Sequence, residues 1–196
     1  MPYRTAFNLL RAPFSPEIEP HALFDGQAFQ QCQARLDYLR RERGPAAVVG
    51  DTGSGKTTAL RAFLSRLATS SYLPLYAAIS HVQNPLKPAL DSLIEQLGER
   101  VPWLNPGRTL QVLNMALAAA YEKGRLPFVV LDEAHLLDER GLLQLKALLN
   151  HGMDARLPLV LLLSGGPSLA RNLAQKKFEE LRQRLLFVYP YQGLTR

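Results

Sequence analysis

Residues 50–57 read Gly50-Asp51-Thr52-Gly53-Ser54-Gly55-Lys56-Thr57. This fits G-x-x-x-x-G-K-[ST], the phosphate-binding loop, and few other patterns constrain a chain so tightly. The three glycines admit backbone conformations that a Cβ would forbid. Successive N–H groups can then turn inward and form a nest for anionic oxygens. Lys56 is expected to reach the β- and γ-phosphates, and the Thr57 hydroxyl to be a ligand of Mg²⁺. The following helix aims its positive end at the same phosphates.

The flanks agree with the motif. Ala46-Ala47-Val48-Val49 is short and apolar, as a buried strand should be. After the loop, Leu60, Phe63, Leu64 and Leu67 fall on one face of a helix over 56–69. Further on, apolar runs alternate with helical patterns. Strands are expected at 73–79, 128–131, 159–163 and 185–189. Helices are expected over 26–43, Leu90–Leu97 before Gly98, Leu110–Tyr121 before Gly124, 139–151, and as two short pieces within 167–184. Residues 80–85 and 103–107 read as loops. This alternation predicts an α/β fold with a parallel, doubly wound sheet.

The chain has 196 residues, 47% hydrophobic and 20% charged, enough for one globular domain with a sizeable core. No apolar run reaches the roughly 18 residues of a membrane span. The one cysteine, Cys32, shares an apolar helix face with Phe29, Leu36 and Leu39, which predicts a buried thiol and no intrachain disulfide. A reducing cytoplasm is the expected compartment. The net charge of +6 suits a polyanion such as nucleic acid, and equally suits a solvated, arginine-rich surface. Residues 1–25 carry four prolines among Phe7, Leu9, Leu10, Phe14, Leu23 and Phe24. They read as an extended arm lying over the domain, against a nucleotide base.

Asp132-Glu133-Ala134-His135 closes the third strand. In open α/β sheets, ligands bind at that edge. Asp132 is expected to complete the Mg²⁺ site, directly or through water. Glu133 is expected to orient and polarise the attacking water, the alternative being that it merely begins the next helix, where acidic residues are common. His135 either couples the site to a neighbour or packs at the start of the next helix, with packing favoured. Ser164, at the end of the fourth strand, is either a γ-phosphate or water contact or a turn serine before Gly165-Gly166-Pro167. Arg182 and Arg184 stand before the fifth strand. One of them is either an arginine finger on a neighbouring subunit's nucleotide, with Arg184 favoured, or the partner of Glu179 or Glu180. The nucleotide-binding set is thus Gly50 to Thr57 with Thr58 and Asp132.

These stretches resemble the AAA+ ATPases of the transposition-helper group, of TniB and ExeA type. The arm Phe7-Asn8-Leu9…Ala12-Pro13-Phe14-Ser15, the two nucleotide motifs, and Leu181-Arg182-Gln183-Arg184-Leu185 with Gly193-Leu194-Thr195 carry the resemblance. It implies a P-loop αβα core over 26–196 with sheet order 5-1-4-3-2, binding ATP and Mg²⁺. It implies ring or filament assembly on double-stranded DNA and recruitment of a transposase. A secretion-associated ATPase of ExeA type, and a nucleotide-gated scaffold with little hydrolysis, are the alternatives. DNA contacts would come from His81, Gln83, Lys87 and Arg108. Such chains usually continue into a helical lid, which this sequence, ending at Arg196, is expected to lack.

Overall fold

The computed structural model describes residues 5–8, 23–101, 106–149 and 158–193. Helix α1 (Gln27–Glu42) leads into β1 (Pro45–Val49), the glycine loop and α2 (Lys56–Ser65). Then come β2 (Tyr72–Ala78), α3 (Leu86–Gln96), α4 (Pro106–Glu122) and β3 (Leu126–Asp132). A 3₁₀ turn at Ala134–Leu136 precedes α5 (Glu139–Leu148) and β4 (Val160–Gly165). Helix α6 (Pro167–Leu173), a second 3₁₀ turn, α7 (Glu179–Arg184) and β5 (Val188–Pro190) complete the described elements.

The five strands form one sheet in the order β2-β3-β4-β1-β5, and every pairing is parallel. Read from the other edge, this is the expected 5-1-4-3-2. Side chains alternate across the sheet because the strand period is two. Ala46, Val48, Phe128, Val130, Val160 and Leu162 face α1 and α2 with Cys32, Leu36, Leu39, Leu60 and Phe63. Ala47, Val49, Val129, Leu131, Leu161 and Leu163 face α3 to α7. Both faces are covered, so β3 is buried along its whole length, and this is why its sequence shows no polar alternation. The Cys32 thiol is fully buried, as its helix face predicts.

Several boundaries differ from expectation, the helix expected over 56–69 among them, which ends at Ser65. Ser164 lies inside β4, since the strand runs on to Gly165 beside Val49. The fifth strand is only Val188–Pro190. Leu186 and Phe187 still bond β1, through Leu186 N–H to Pro45 O at 2.8 Å and Ala47 N–H to Phe187 O at 3.0 Å. As an edge strand with one neighbour, it holds a shorter ladder than its apolar run suggests. Helix α4 begins at Pro106, within the expected 103–107 loop, where proline suits a first helical turn. Most of the arm, at 9–22, lies outside the described residues, as do 150–157 and Leu194-Thr195.

Candidate active site

The glycine loop leaves the C-terminal end of β1, which lies between β4 and β5 while the next strand in sequence sits at the far edge. That is a topological switch point, where a crevice opens. The Gly50 N–H bonds Gly165 O at 3.1 Å, fixing the loop to the end of β4. On its other side, the Tyr191 N–H bonds Val49 O at 2.6 Å, and a Cβ at Gly50 would overlap the Tyr191 carbonyl oxygen. No other residue fits there. Gly55 caps α2 at φ +94°, in the left-handed region. Asp51, Thr52 and Gly53 form an exposed crest, whereas Ser54 and Thr58 are half-buried. Lys56 is buried, its Nζ inside the arc of the loop, 2.8 Å from Gly50 O, 2.7 Å from Asp51 O and 3.4 Å from Ser54 Oγ.

Asp132, the last residue of β3, meets this loop from across the sheet. It is 2% exposed. Its Oδ2 accepts from Thr57 Oγ1 at 2.7 Å and from the Tyr76 hydroxyl at 3.0 Å. Its Oδ1 accepts from the Glu133 N–H at 2.9 Å. Burial is the largest influence on its pKa and pushes it up. Donors from Ser164, Thr57, Glu133 and Tyr76 outweigh burial together and hold the carboxyl below the usual range. Ser164 Oγ is fully buried and close enough to help keep Asp132 ionised. Among the described residues it has no hydrogen bond of good geometry, so the hydroxyl sits beside Asp132 without a full partner.

Glu133 takes φ +56°, ψ +27°, uncommon for a residue with a side chain. The left-handed residue turns the chain sharply out of the strand, and Glu133 caps the short 3₁₀ turn Ala134–Leu136 rather than entering α5. It lifts the Glu133 carboxylate to the surface, with 48% of its side chain exposed. Glu133 Oε2 lies 3.2 Å from His135 Nδ1, and the Gly166 N–H points at the same nitrogen from 3.2 Å. One nitrogen cannot serve both. The Gly166 N–H is a fixed donor, so Nδ1 is assigned as its acceptor. His135 thus packs against Gly165 and Gly166 at the end of β4, with its ring also within 3.2 Å of the Glu133 carboxylate.

Tyr76 is the site residue that sequence reasoning missed. Its strand was legible, but its contact depends on register: Ala78 pairs with Asp132, and Tyr76 lies two residues back on the face toward α2. Burial, then the Asp132 charge, push its hydroxyl pKa up. Gln96 brackets its main chain, Oε1 accepting from the Tyr76 N–H at 3.1 Å and Nε2 donating to Tyr76 O at 2.8 Å.

The remaining candidates lie apart. Arg184 donates to Leu149 O at 3.0 Å within its own chain. Glu180 pairs with Lys146, and Gln183 donates to Glu179; among the described residues neither acid is paired with Arg182 or Arg184. Arg182 is exposed and lines a groove of about 360 Å³ with Leu173, Leu185 and Val188. His81 and Gln83 are exposed in the loop after β2. Lys87 pairs with Asp91 at 2.5 Å, and Arg108 is exposed at the start of α4.

Comparison with known proteins agrees with this geometry. A family model described as an AAA domain matches residues 39–173. General secretion pathway protein A of Aeromonas hydrophila is 30% identical over 192 residues, covering 95% of this chain and 34% of the relative. The chain thus spans about a third of that relative's length. Among solved structures, the Aeropyrum pernix ORC2 protein in ADPNP–ADP complexes superposes with TM-score 0.68 at 18% identity, over 92% of this chain and 51% of that one. The Aeropyrum pernix ORC1 protein in complex with DNA gives 0.66 at 21%, over 92% and 47%. Cdc6p of Pyrobaculum aerophilum gives 0.66 at 22%, over 91% and 48%. At these identities the structural likeness concerns the fold alone.

Proposed function

Because this chain belongs to the AAA-domain family, we propose that it is an ATP-binding module that hydrolyses ATP to ADP and phosphate. The observation that carries the reading is the 2.7 Å contact between Thr57 and Asp132, which unites two motifs 75 residues apart beside the Lys56 ammonium. The residues fit a nucleotide and its magnesium. The glycine cradle has no room for a Cβ at Gly50, Asp132 is held ionised, and Ser164 has a hydroxyl to give.

Thr57 and Asp132 would hold Mg²⁺, which supplies charge neutralisation at the β- and γ-phosphate oxygens. Lys56 and the loop N–H groups bind those oxygens and orient the γ-phosphorus for in-line attack. Glu133 takes a proton from the attacking water. The new O–P bond forms as the bond to the β-phosphate oxygen breaks, and ADP leaves. Calorimetry and phosphate release test the assignment. Lys56→Ala should abolish ATP binding. Glu133→Gln should keep binding and lose roughly 10²–10⁴-fold in turnover, the usual worth of a general base. Unchanged affinity in the first, or normal turnover in the second, would remove that residue's role.

At the level of process, the secretion-pathway relative supports a cytoplasmic, secretion-associated ATPase working through protein partners. The reading as a transposition helper, assembling on double-stranded DNA and recruiting a transposase, is supported by the +6 charge and the resemblance of the motifs. A gel shift separates them. ATP-dependent retention of duplex DNA that fades steeply with salt supports the second, and its absence supports the first.

A further inference from the structure

The assignment of Asp132 to the metal leaves Tyr76 without a role. We propose that Tyr76 is a positioning residue of the magnesium site. Its hydroxyl fixes the Asp132 carboxylate, and Gln96 fixes Tyr76. The inference deepens the ATP-module reading and rests on it.

The geometry of Tyr76 is inverted. A tyrosine at a protein surface usually buries its ring and leaves its oxygen wet. Here the residue is 38% exposed, while its hydroxyl donates at 3.0 Å to a carboxylate that is 2% exposed. A phenylalanine would cover the sheet equally well, so packing alone gives no reason for the oxygen. The acceptor is Oδ2, the oxygen that Thr57 also meets. Oδ1 is already held by the Glu133 N–H. With both oxygens restrained, the carboxylate has one orientation and no freedom to turn from the metal. Carboxylates that ligate metals are commonly fixed by such outer hydrogen bonds, whose removal costs 10–100-fold in metal affinity.

The strand that carries Tyr76 would otherwise be a poor platform. β2 is an edge strand, with one neighbour and a free row of backbone groups. Gln96, from the last turn of α3, binds both main-chain groups of Tyr76 and stands in for the missing strand. Its Nε2 also reaches Ser92 Oγ at 3.2 Å, so the amide is held from its own helix. The chain of contacts runs α3, Gln96, Tyr76, Asp132, Thr57. It ties the position of an outer helix to the metal carboxylate.

The test is ATP affinity by calorimetry in excess Mg²⁺ and in EDTA, on the whole chain. The ratio of the two affinities isolates what the metal contributes. Tyr76→Phe keeps the ring, and its ratio should shrink by about tenfold, with affinity in EDTA unchanged. Gln96→Ala removes an exposed amide and cannot threaten the core. It should shrink the ratio in the same direction by less. It also carries the test if Tyr76→Phe does not fold. A wild-type ratio in either folded variant, or an equal loss in both buffers, overturns the proposal. A wild-type chain that binds no ATP in either buffer overturns the ATP-module reading instead.

Discussion

Glu133 holds a left-handed conformation that a β-carbon makes costly, of order 1 kcal/mol. That twist carries the carboxylate to the surface beside the glycine loop's edge of the sheet, where the proposed role as base would need it. Glu133→Gly should therefore raise stability by about 1 kcal/mol, or about 2–4 °C in Tm, while removing turnover. Glu133→Gln should remove turnover with Tm unchanged. Thermal melts beside phosphate-release assays separate the two. Cys32 gives a second test at this scale. Burial pushes its thiol up to about 12. The folded state thus keeps its proton where the unfolded chain, with an ordinary thiol near ~8.5, loses it. Stability from this group is complete below the unfolded value and is lost as pH rises from there through 12. Chemical denaturation of wild type and Cys32→Ala should give a gap that narrows between pH 8 and pH 10, by about 2 kcal/mol. Single residues were also the most legible part of the sequence. Lys56, Thr57 and Asp132 lie in short local patterns whose chemistry admits few alternatives. Tyr76 was not legible, because only strand register places its hydroxyl.

At the scale of elements, helix ends follow local rules. Asp138 caps α5, its carboxylate accepting from the Gly141 N–H at 2.7 Å. Asp138→Ala should cost about 1 kcal/mol, read as a lower denaturation midpoint with an unchanged slope. The sequence marked this helix and every strand, because apolar runs between turn residues are local signals. It marked β5 too long and Ser164 one step outside its strand, because strand length is settled by the partner across the ladder. Arg184 teaches the same lesson. Its guanidinium bonds the Leu149 carbonyl beside the end of α5, a contact between elements far apart in sequence. Reasoning from charge alone offered it a carboxylate or a neighbouring subunit.

At the scale of the molecule, the sheet divides the core in two. Phe128 faces α1 and α2, fully buried, with its ring centroid 5.4 Å from that of Phe63. Phe128→Ala should cost about 3–5 kcal/mol, a large share of the ~5–15 kcal/mol of a typical domain. Urea unfolding measures it. Strand order followed from the resemblance rather than from apolar periodicity, which reports strands but not their neighbours. One contact has a mechanical consequence. The backbone at Tyr191 is bonded to Val49 and pressed against Gly50, and Gly193 rests against Ser54. A shift of the backbone between Tyr191 and Gly193 would therefore press directly on Gly50 and Ser54, within the loop proposed to hold the phosphates. Occupation of the loop and the course of the chain after β5 would then be felt by each other.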